Sequence, residues 1–317
     1  MAICQEATGV THLDLGPAIA RIIGRCCRLD VEALKPGNVS VHSPGHGMRA
    51  EDFIESADAI APILARPGLT VGARVLDCVE ATLARVGCNT NLGIILLSAP
   101  LISAVFIETQ AQELRQRLNV VLRGLDQNDA RLAFEAIRLA SPAGIGRVRR
   151  HDVGQNPTVS LLEAMRAAQA WDRIAYQYAH GFRDVFNTGV AELKRCLKRW
   201  DPYPNPLVWA TVGCFLGFMA TIPDTHIRRK FGPRTAERVR ETAQIVETRF
   251  KACENPLAAV ELLRHYDNEL KREGLNPGTS ADLTVASLIA LHLEDLLIGK
   301  RCNGVAMHEH KGNISIG

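Results

Sequence analysis

Residues 87–107 read GCNTNLGIILLSAPLISAVFI, and from Leu92 to Ile107 no side chain carries a charge. The run is shorter than the roughly 20 residues that cross a bilayer, so it predicts a helix buried inside a folded protein. Asn89, Thr90 and Asn91 stand at its start. Residues of these types are common N-caps, because their side-chain oxygens accept from the first backbone N–H groups. A buried helix start also offers N–H donors and a positive partial charge to an anion, so phosphate or ribose oxygens are the alternative partners of the three side chains.

Outward from this run the helical spacing repeats. Ile19, Ile22, Ile23, Cys26 and Leu29 share one face, as do Phe53, Ala57, Ile60, Ala61 and Leu64, then Val75, Leu76, Val79, Leu83 and Val86, then Leu114, Leu118, Val121, Leu122 and Leu125. Period-two alternation is hard to find. Thr158 or Ser160 can cap a segment through Tyr178, and Ser280 precedes the apolar face Leu283, Ala286, Ser287 and Ala290. Aromatics make up only 5% of the chain, and the Ala- and Leu-rich segments favour helix over strand. These patterns predict an all-α fold of about ten helices with essentially no β-sheet, a single compact multi-helix domain over residues 1–317. Residues 141–157, SPAGIGRVRRHDVGQNP, read as a long functional loop rather than an interdomain linker, since both flanks are helical. The tail 302–317 lacks helical periodicity and is expected to be partly mobile.

A formal net charge of +3 shows no basic stripe of the kind that nucleic-acid binding needs, so no nucleic-acid partner is expected. Nine scattered cysteines without a C-x-x-C pair suggest reduced thiols rather than a disulfide framework or a zinc site. With no secretory pattern at the N-terminus, a cytoplasmic location and no membrane partner are expected. Long apolar helices allow a helix-mediated homodimer, though nothing fixes an interface.

Four polar clusters interrupt the helices: EALKPGNV at 32–39, NTNLG at 89–93, PDTHIRRKFG at 223–232 and NPGTSADL at 276–283. In the first, Lys35 beside the Pro36–Gly37 turn suits a phosphate, with Asn38 next to it, and Glu32 suits a metal ion or a substrate hydroxyl; a surface turn and a solvated carboxylate are the plain alternatives. In the third, Asp224, Thr225 and His226 precede Arg228, Arg229, Lys230 and Arg234. A carboxylate that holds Mg²⁺ beside arginines that grip oxygens would suit a polyphosphate; a solvated basic turn is the plain alternative. In the fourth, Asn276, Gly278, Thr279 and Ser280 precede Asp282, which is either a helix-dipole partner or a metal ligand. Glu51, Asp52 and Glu55 read as a solvated face. His308 and His310 lack further ligands.

In this order the clusters resemble the triphosphoribosyl-dephospho-CoA synthase family. The resemblance rests on Glu32 with Lys35-Pro36-Gly37, on PGHGM at 44–48 with His46, on Asn89-Thr90, on Asp224-Thr225 and on Asn276 to Leu283, and it spans about residues 20–295. Two departures stand out. The family's His-Lys after Asn-Thr is Asn91-Leu92 here, and the acidic residue expected before Met48 is Gly47. The chain therefore looks like a divergent branch, similar to archaeal and methylotroph homologues of one-carbon coenzyme pathways.

The resemblance implies an all-helical transferase in which ATP, held with Mg²⁺, gives a ribosyl group to a coenzyme precursor and adenine leaves. Glu32, Asp224 and Asp282 become the expected catalytic and metal-binding carboxylates. Lys35, Gly37, Asn38, His46, Asn89, Thr90, Asn91, Thr225, His226, Arg229, Asn276, Gly278 and Ser280 become the expected phosphate and substrate contacts. The missing His-Lys pair points to an acceptor other than dephospho-CoA, such as a precursor of a methanopterin-type coenzyme. A nucleotide-binding protein without catalysis and a Mg²⁺-dependent nucleotide hydrolase are the two other readings.

Overall fold

The computed structural model describes residues 12–141 and 152–309, with side chains over 15–141 and 152–299. Fourteen α-helices are present among them. The first seven are α1 His12–Glu32, α2 Ala50–Leu64, α3 Val71–Val86, α4 Leu92–Phe106, α5 Leu114–Arg123, α6 Gln127–Ala140 and α7 Leu161–Ala168. The rest are α8 Arg173–Ala179, α9 Ala191–Trp200, α10 Pro206–Thr221, α11 Thr225–Phe231, α12 Pro233–Ala252, α13 Val260–Arg272 and α14 Gly278–Glu309. A π-helical turn, Val185–Val190, leads into α9. No strand occurs among the described residues; two isolated bridges, Ser40 with Ser43 and Gly45 with Met48, shape the loop after α1.

The all-α expectation holds, and the run from Leu92 is the helix α4, buried from Gly93 to Val105. The helices outnumber the ten expected because pieces as short as α8 and α11, seven residues each, carry too few turns to show a period. The segment expected to run from Ser160 through Tyr178 is two helices. Ser160 does cap α7, accepting from Glu163 N at 3.3 Å, but Asp172 then caps α8 by accepting from the backbone of Ile174 and Ala175. The tail reading is corrected in part, since α14 continues to Glu309. Residues 310–317 lie outside the described residues, as do 142–151 of the expected loop.

Helix α14 packs against α1, α4, α10 and the π-helical turn. Helix α4 is fixed to α8 by a bond that its own sequence makes available. Pro100 has no N–H to give the carbonyl of Leu96, and Tyr178 donates its hydroxyl there at 2.6 Å. No single helix among the described residues is long and apolar enough to cross a membrane; α10 and α11 together reach that length, bent by 51° at the break between them. Residues 210–220 of α10 are all buried inside the bundle.

Candidate functional site

A cleft of about 460 Å³ opens where the loop after α1 meets the starts of α4, α11 and α14. Of the residues expected at a site, Asn38, His46, Asn89, Thr90, Asn91, His226, Arg229, Asn276, Gly278 and Asp282 line it. Glu32, Lys35, Gly37, Asp224, Thr225 and Ser280 do not, and each has a structural reason to lie elsewhere.

Lys35 is completely buried. Its ammonium donates to Asp30 Oδ1 at 2.5 Å and Asn38 Oδ1 at 2.6 Å and lies 5.5 Å from the centre of the Phe215 ring. The positive charge expected to meet phosphate is spent on Asp30, a cleft residue that the sequence did not single out. Glu32 is exposed and points away from the cleft. The two carboxylates are two residues apart on one helix, about 200° around its axis, so only one of them can face inward. Burial raises the Asp30 carboxyl above its ordinary range, and the Lys35 charge and hydrogen bond oppose that rise.

Gly37 is a tightly packed turn of the loop. Its φ of +80° favours glycine, and a Cβ would come within 2.9 Å of Leu270 and Pro277. Its N–H donates to Asp267 Oδ1 at 2.8 Å, and its carbonyl accepts from His46 Nε2 at 2.8 Å. Asn38 then joins the first cluster to the fourth by donating to Asn276 Oδ1 at 2.9 Å.

The capping reading of Asn89 is correct, for its Oδ1 accepts from Leu92 N at 3.1 Å. Thr90 shares a 2.6 Å hydrogen bond with Ser56, and Asn91 Oδ1 accepts from Thr82 Oγ1 at 3.1 Å. All three side chains thus have protein partners and still line the cleft.

Asp224 is a buried double cap rather than an open metal ligand. One carboxylate oxygen accepts from the backbone of His226 and Ile227, and the other from Ser280 N and Oγ, both at 2.8 Å. Ser280 therefore lies inside the first turn of α14 and serves Asp224. Thr225 Oγ1 is likewise bonded to Thr279 Oγ1 at 3.0 Å. With Asp224 saturated and Glu32 outside, the expected three-carboxylate metal set does not assemble. Among the described residues no group of three or more His, Cys, Asp or Glu could hold a metal. Of the three acidic residues read as a solvated face, Glu51 and Glu55 are exposed, while Asp52 is half-buried and accepts from Arg49 N at 2.7 Å at the start of α2.

Asp282 is the exception. It lines the cleft with no hydrogen bond from a described residue, packed against Gly93 at the start of α4. Burial, then Asp30, then Asp224 push its carboxyl well above the ordinary range. Gly93 and Gly278 are small for a reason: a Cβ on Gly93 would overlap the Asp282 carboxyl, and one on Gly278 would press His226 Nδ1 at 3.3 Å.

Of the four positive charges in the third cluster only Arg229 and Lys230 line the cleft; Arg228 and Arg234 are exposed. Arg229 Nη1 donates to Asp172 Oδ2 at 2.7 Å, while its buried Nε has no hydrogen-bond partner among the described residues. Burial lowers the His226 pKa, helped by Arg229, Lys230 and His46 and opposed by Asp224. The imidazole is therefore neutral near pH 7. Sequence reading also missed the other end of the cleft, where Phe134, Ile137, Ala164, Met165, Ala168 and Trp171 form apolar walls. In sequence they look like core positions, and only the fold shows them facing a cavity.

No curated protein matches the chain. A solved structure from Archaeoglobus fulgidus, described as that of a triphosphoribosyl-dephospho-CoA synthase, is 25% identical with a TM-score of 0.57. The match covers 75% of this chain and 97% of the archaeal one. The family model for ATP:dephospho-CoA triphosphoribosyl transferase matches residues 17–301. A match of that extent, on a fold shared with the archaeal structure and with the family's four clusters gathered around one cleft, shows that the chain belongs to this family of ribosyl transferases of coenzyme biosynthesis, which use ATP as a substrate.

Proposed function

We propose that the chain transfers the triphosphoribosyl group of Mg²⁺-bound ATP to a small-molecule coenzyme precursor other than dephospho-CoA. The observation that carries this reading is the Asp282 carboxylate, which has no hydrogen-bond partner among the described residues, in the same cleft as Arg229 and Lys230. Mg²⁺ is commonly bound by one or two carboxylates together with substrate phosphates, so a lone carboxylate is sufficient. Asp282 fits that part: burial first, then Asp30 and Asp224, raise its pKa against the opposing charges of Lys35 and Arg229, and a bound cation would relieve the repulsion from the two carboxylates. When bound, the ion would neutralise part of the triphosphate charge. Arg229 Nε and the Lys230 ammonium supply further donors to phosphate oxygens.

In the reaction the C1′–N9 bond of the adenosine breaks, its electron pair leaves with adenine, and an acceptor hydroxyl oxygen forms the new bond to C1′. Asp30, facing the cleft with Lys35 behind it, stabilises the positive charge that develops at C1′. Neutral His226 takes the hydroxyl proton and returns it, directly or through water, to the departing adenine, so the products balance the reactants and the imidazole is neutral again. Asn89 and Asn276 orient ribose or phosphate oxygens. Leu92 lines the cleft where the family carries lysine. This supports an acceptor with less negative charge than dephospho-CoA, and the likeness to one-carbon coenzyme homologues supports a precursor of that kind.

Incubation with ATP and Mg²⁺, with and without candidate acceptors, followed by chromatography tests the reading. Free adenine is expected. ADP or AMP would favour the hydrolase reading, and ATP binding without any product would favour the binding protein.

A further inference from the structure

We propose that the apolar end of the cleft is a separate chamber that takes an uncharged aromatic or alkyl arm of the acceptor, while all of ATP stays at the polar end. The inference rests on the ribosyl-transfer reading and assigns its second substrate a place and a chemistry.

The chamber is walled by α4, α6, α7 and α8. Alanines from three of these helices face it: Ala140, Ala164, Ala168 and Ala175. Phe134 and Met165 add to the apolar wall and are themselves nearly buried, and Ser141 and Asp152 line the cleft beside Ala140 and Val153. Protein interiors are close-packed, and a void lined by apolar atoms forfeits their dispersion contacts unless something fills it. A larger residue at any of the four alanine positions would fill this one from within. The walls are also braced, as the Tyr178 hydroxyl bond to the Leu96 carbonyl holds α8 on α4 at this end. The space is preformed, as small-molecule pockets usually are.

Adenine is a poor match for such a chamber. Its amino group and ring nitrogens need hydrogen-bond partners, and burying them against Phe134, Met165 and alanines would leave them unpaired. The polar end supplies those partners through Asn38, Asn89 and Asn276. A triphosphate fits apolar walls still less. What remains is the acceptor, with its hydroxyl near Leu92 at the junction and its carbon arm in the chamber. Trp171, 42% exposed, stands among the lining residues and reports on occupancy.

The test uses benzyl alcohol as the uncharged probe and benzoate as its charged counterpart, read by tryptophan fluorescence with Trp171→Phe as the control for the signal. The full-length protein is expected to bind benzyl alcohol at least tenfold more tightly than benzoate, with adenosine unable to displace it. Ala164→Phe and Ala140→Leu fill the chamber from two different helices. Each is expected to abolish benzyl alcohol binding while calorimetry finds MgATP affinity within twofold of the wild type. Should one variant fail to fold, the other and the adenosine competition decide the matter. Absence of benzyl alcohol binding, its displacement by adenosine, or its persistence in a folded filled variant would overturn the chamber assignment. None of these measurements needs turnover, so a failure to release adenine would count against the transfer reaction alone.

Discussion

Gly93 and Asp282 meet so closely that a Cβ on Gly93 would overlap the Asp282 carboxyl and lie 2.8 Å from Ile174 Cδ1. One glycine in the first turn of α4 thus decides whether a carboxylate on α14 can occupy the cleft. Gly93→Ala is expected to displace that carboxylate and lower adenine release at least tenfold. Overpacking of this kind typically destabilises by about 1–3 kcal/mol, which leaves the protein folded at assay temperature. Chromatography and chemical denaturation measure the two effects, and near wild-type release by the variant would show that Asp282 need not hold this position.

Asp282 also sets a pH dependence of stability. Its folded-state pKa is raised by burial, Asp30 and Asp224. Between the ordinary carboxylate range and that raised value the folded chain holds a proton that the unfolded chain has released, so stability falls as pH rises through the window. Asp282→Asn has no such proton to lose. Without Mg²⁺ it is expected to melt at or near the wild-type temperature at pH 4 and above it at pH 8. A wild type that melts higher than the variant at pH 8 would reverse the sign.

Lys35→Met separates an internal ion pair from a phosphate ligand. Removing the lysine leaves Asp30 buried and unpaired, a change that typically destabilises by about 3–5 kcal/mol. Because Lys35 does not line the cleft, MgATP affinity at a temperature where the variant is folded should stay within about threefold of the wild type, while the rate of adenine release falls. A phosphate contact would instead be worth roughly tenfold or more in Kd. Calorimetry alongside the release assay tells the two apart.

The pair Asn91-Leu92 bears on acceptor choice. The wild type is expected to make little or no product from dephospho-CoA, and the Asn91→His, Leu92→Lys double variant to gain turnover with it. One charge-assisted contact is worth about 1.5–3 kcal/mol, roughly tenfold to hundredfold. Replacing Asn91 gives up the bond that its side chain accepts from Thr82, so Leu92→Lys alone should carry most of the gain. Efficient use of dephospho-CoA by the wild type would refute the changed acceptor.

The helical nature of the chain was legible because apolar residues repeat at a helical period and almost nowhere at a strand period. The clusters at 89–93, 223–232 and 276–283 were legible as helix starts because capping chemistry is local. Where each side chain points was not. Lys35 and Asp224 have the right types at the right motif positions, yet the partners that consume them, Asp30 and the backbone of Ser280, are fixed by helix rotation and by a contact 56 residues away in sequence. Asp30 was passed over for Glu32, although a half-turn of α1 separates inside from outside. The alanine-lined chamber was invisible for a different reason: an apolar residue facing a cavity and one facing the core look alike in one dimension.

Asp224 fastens two helix starts to a single side chain, α11 through His226 and Ile227 and α14 through Ser280. These turns cannot slide past one another without giving up bonds to that carboxylate. Arg229 stands on α11 and Asp282 on α14, so the Asp224 carboxylate fixes the spacing between this cation and this carboxylate of the cleft. Removing that one carboxylate would therefore unfasten both helix starts at once.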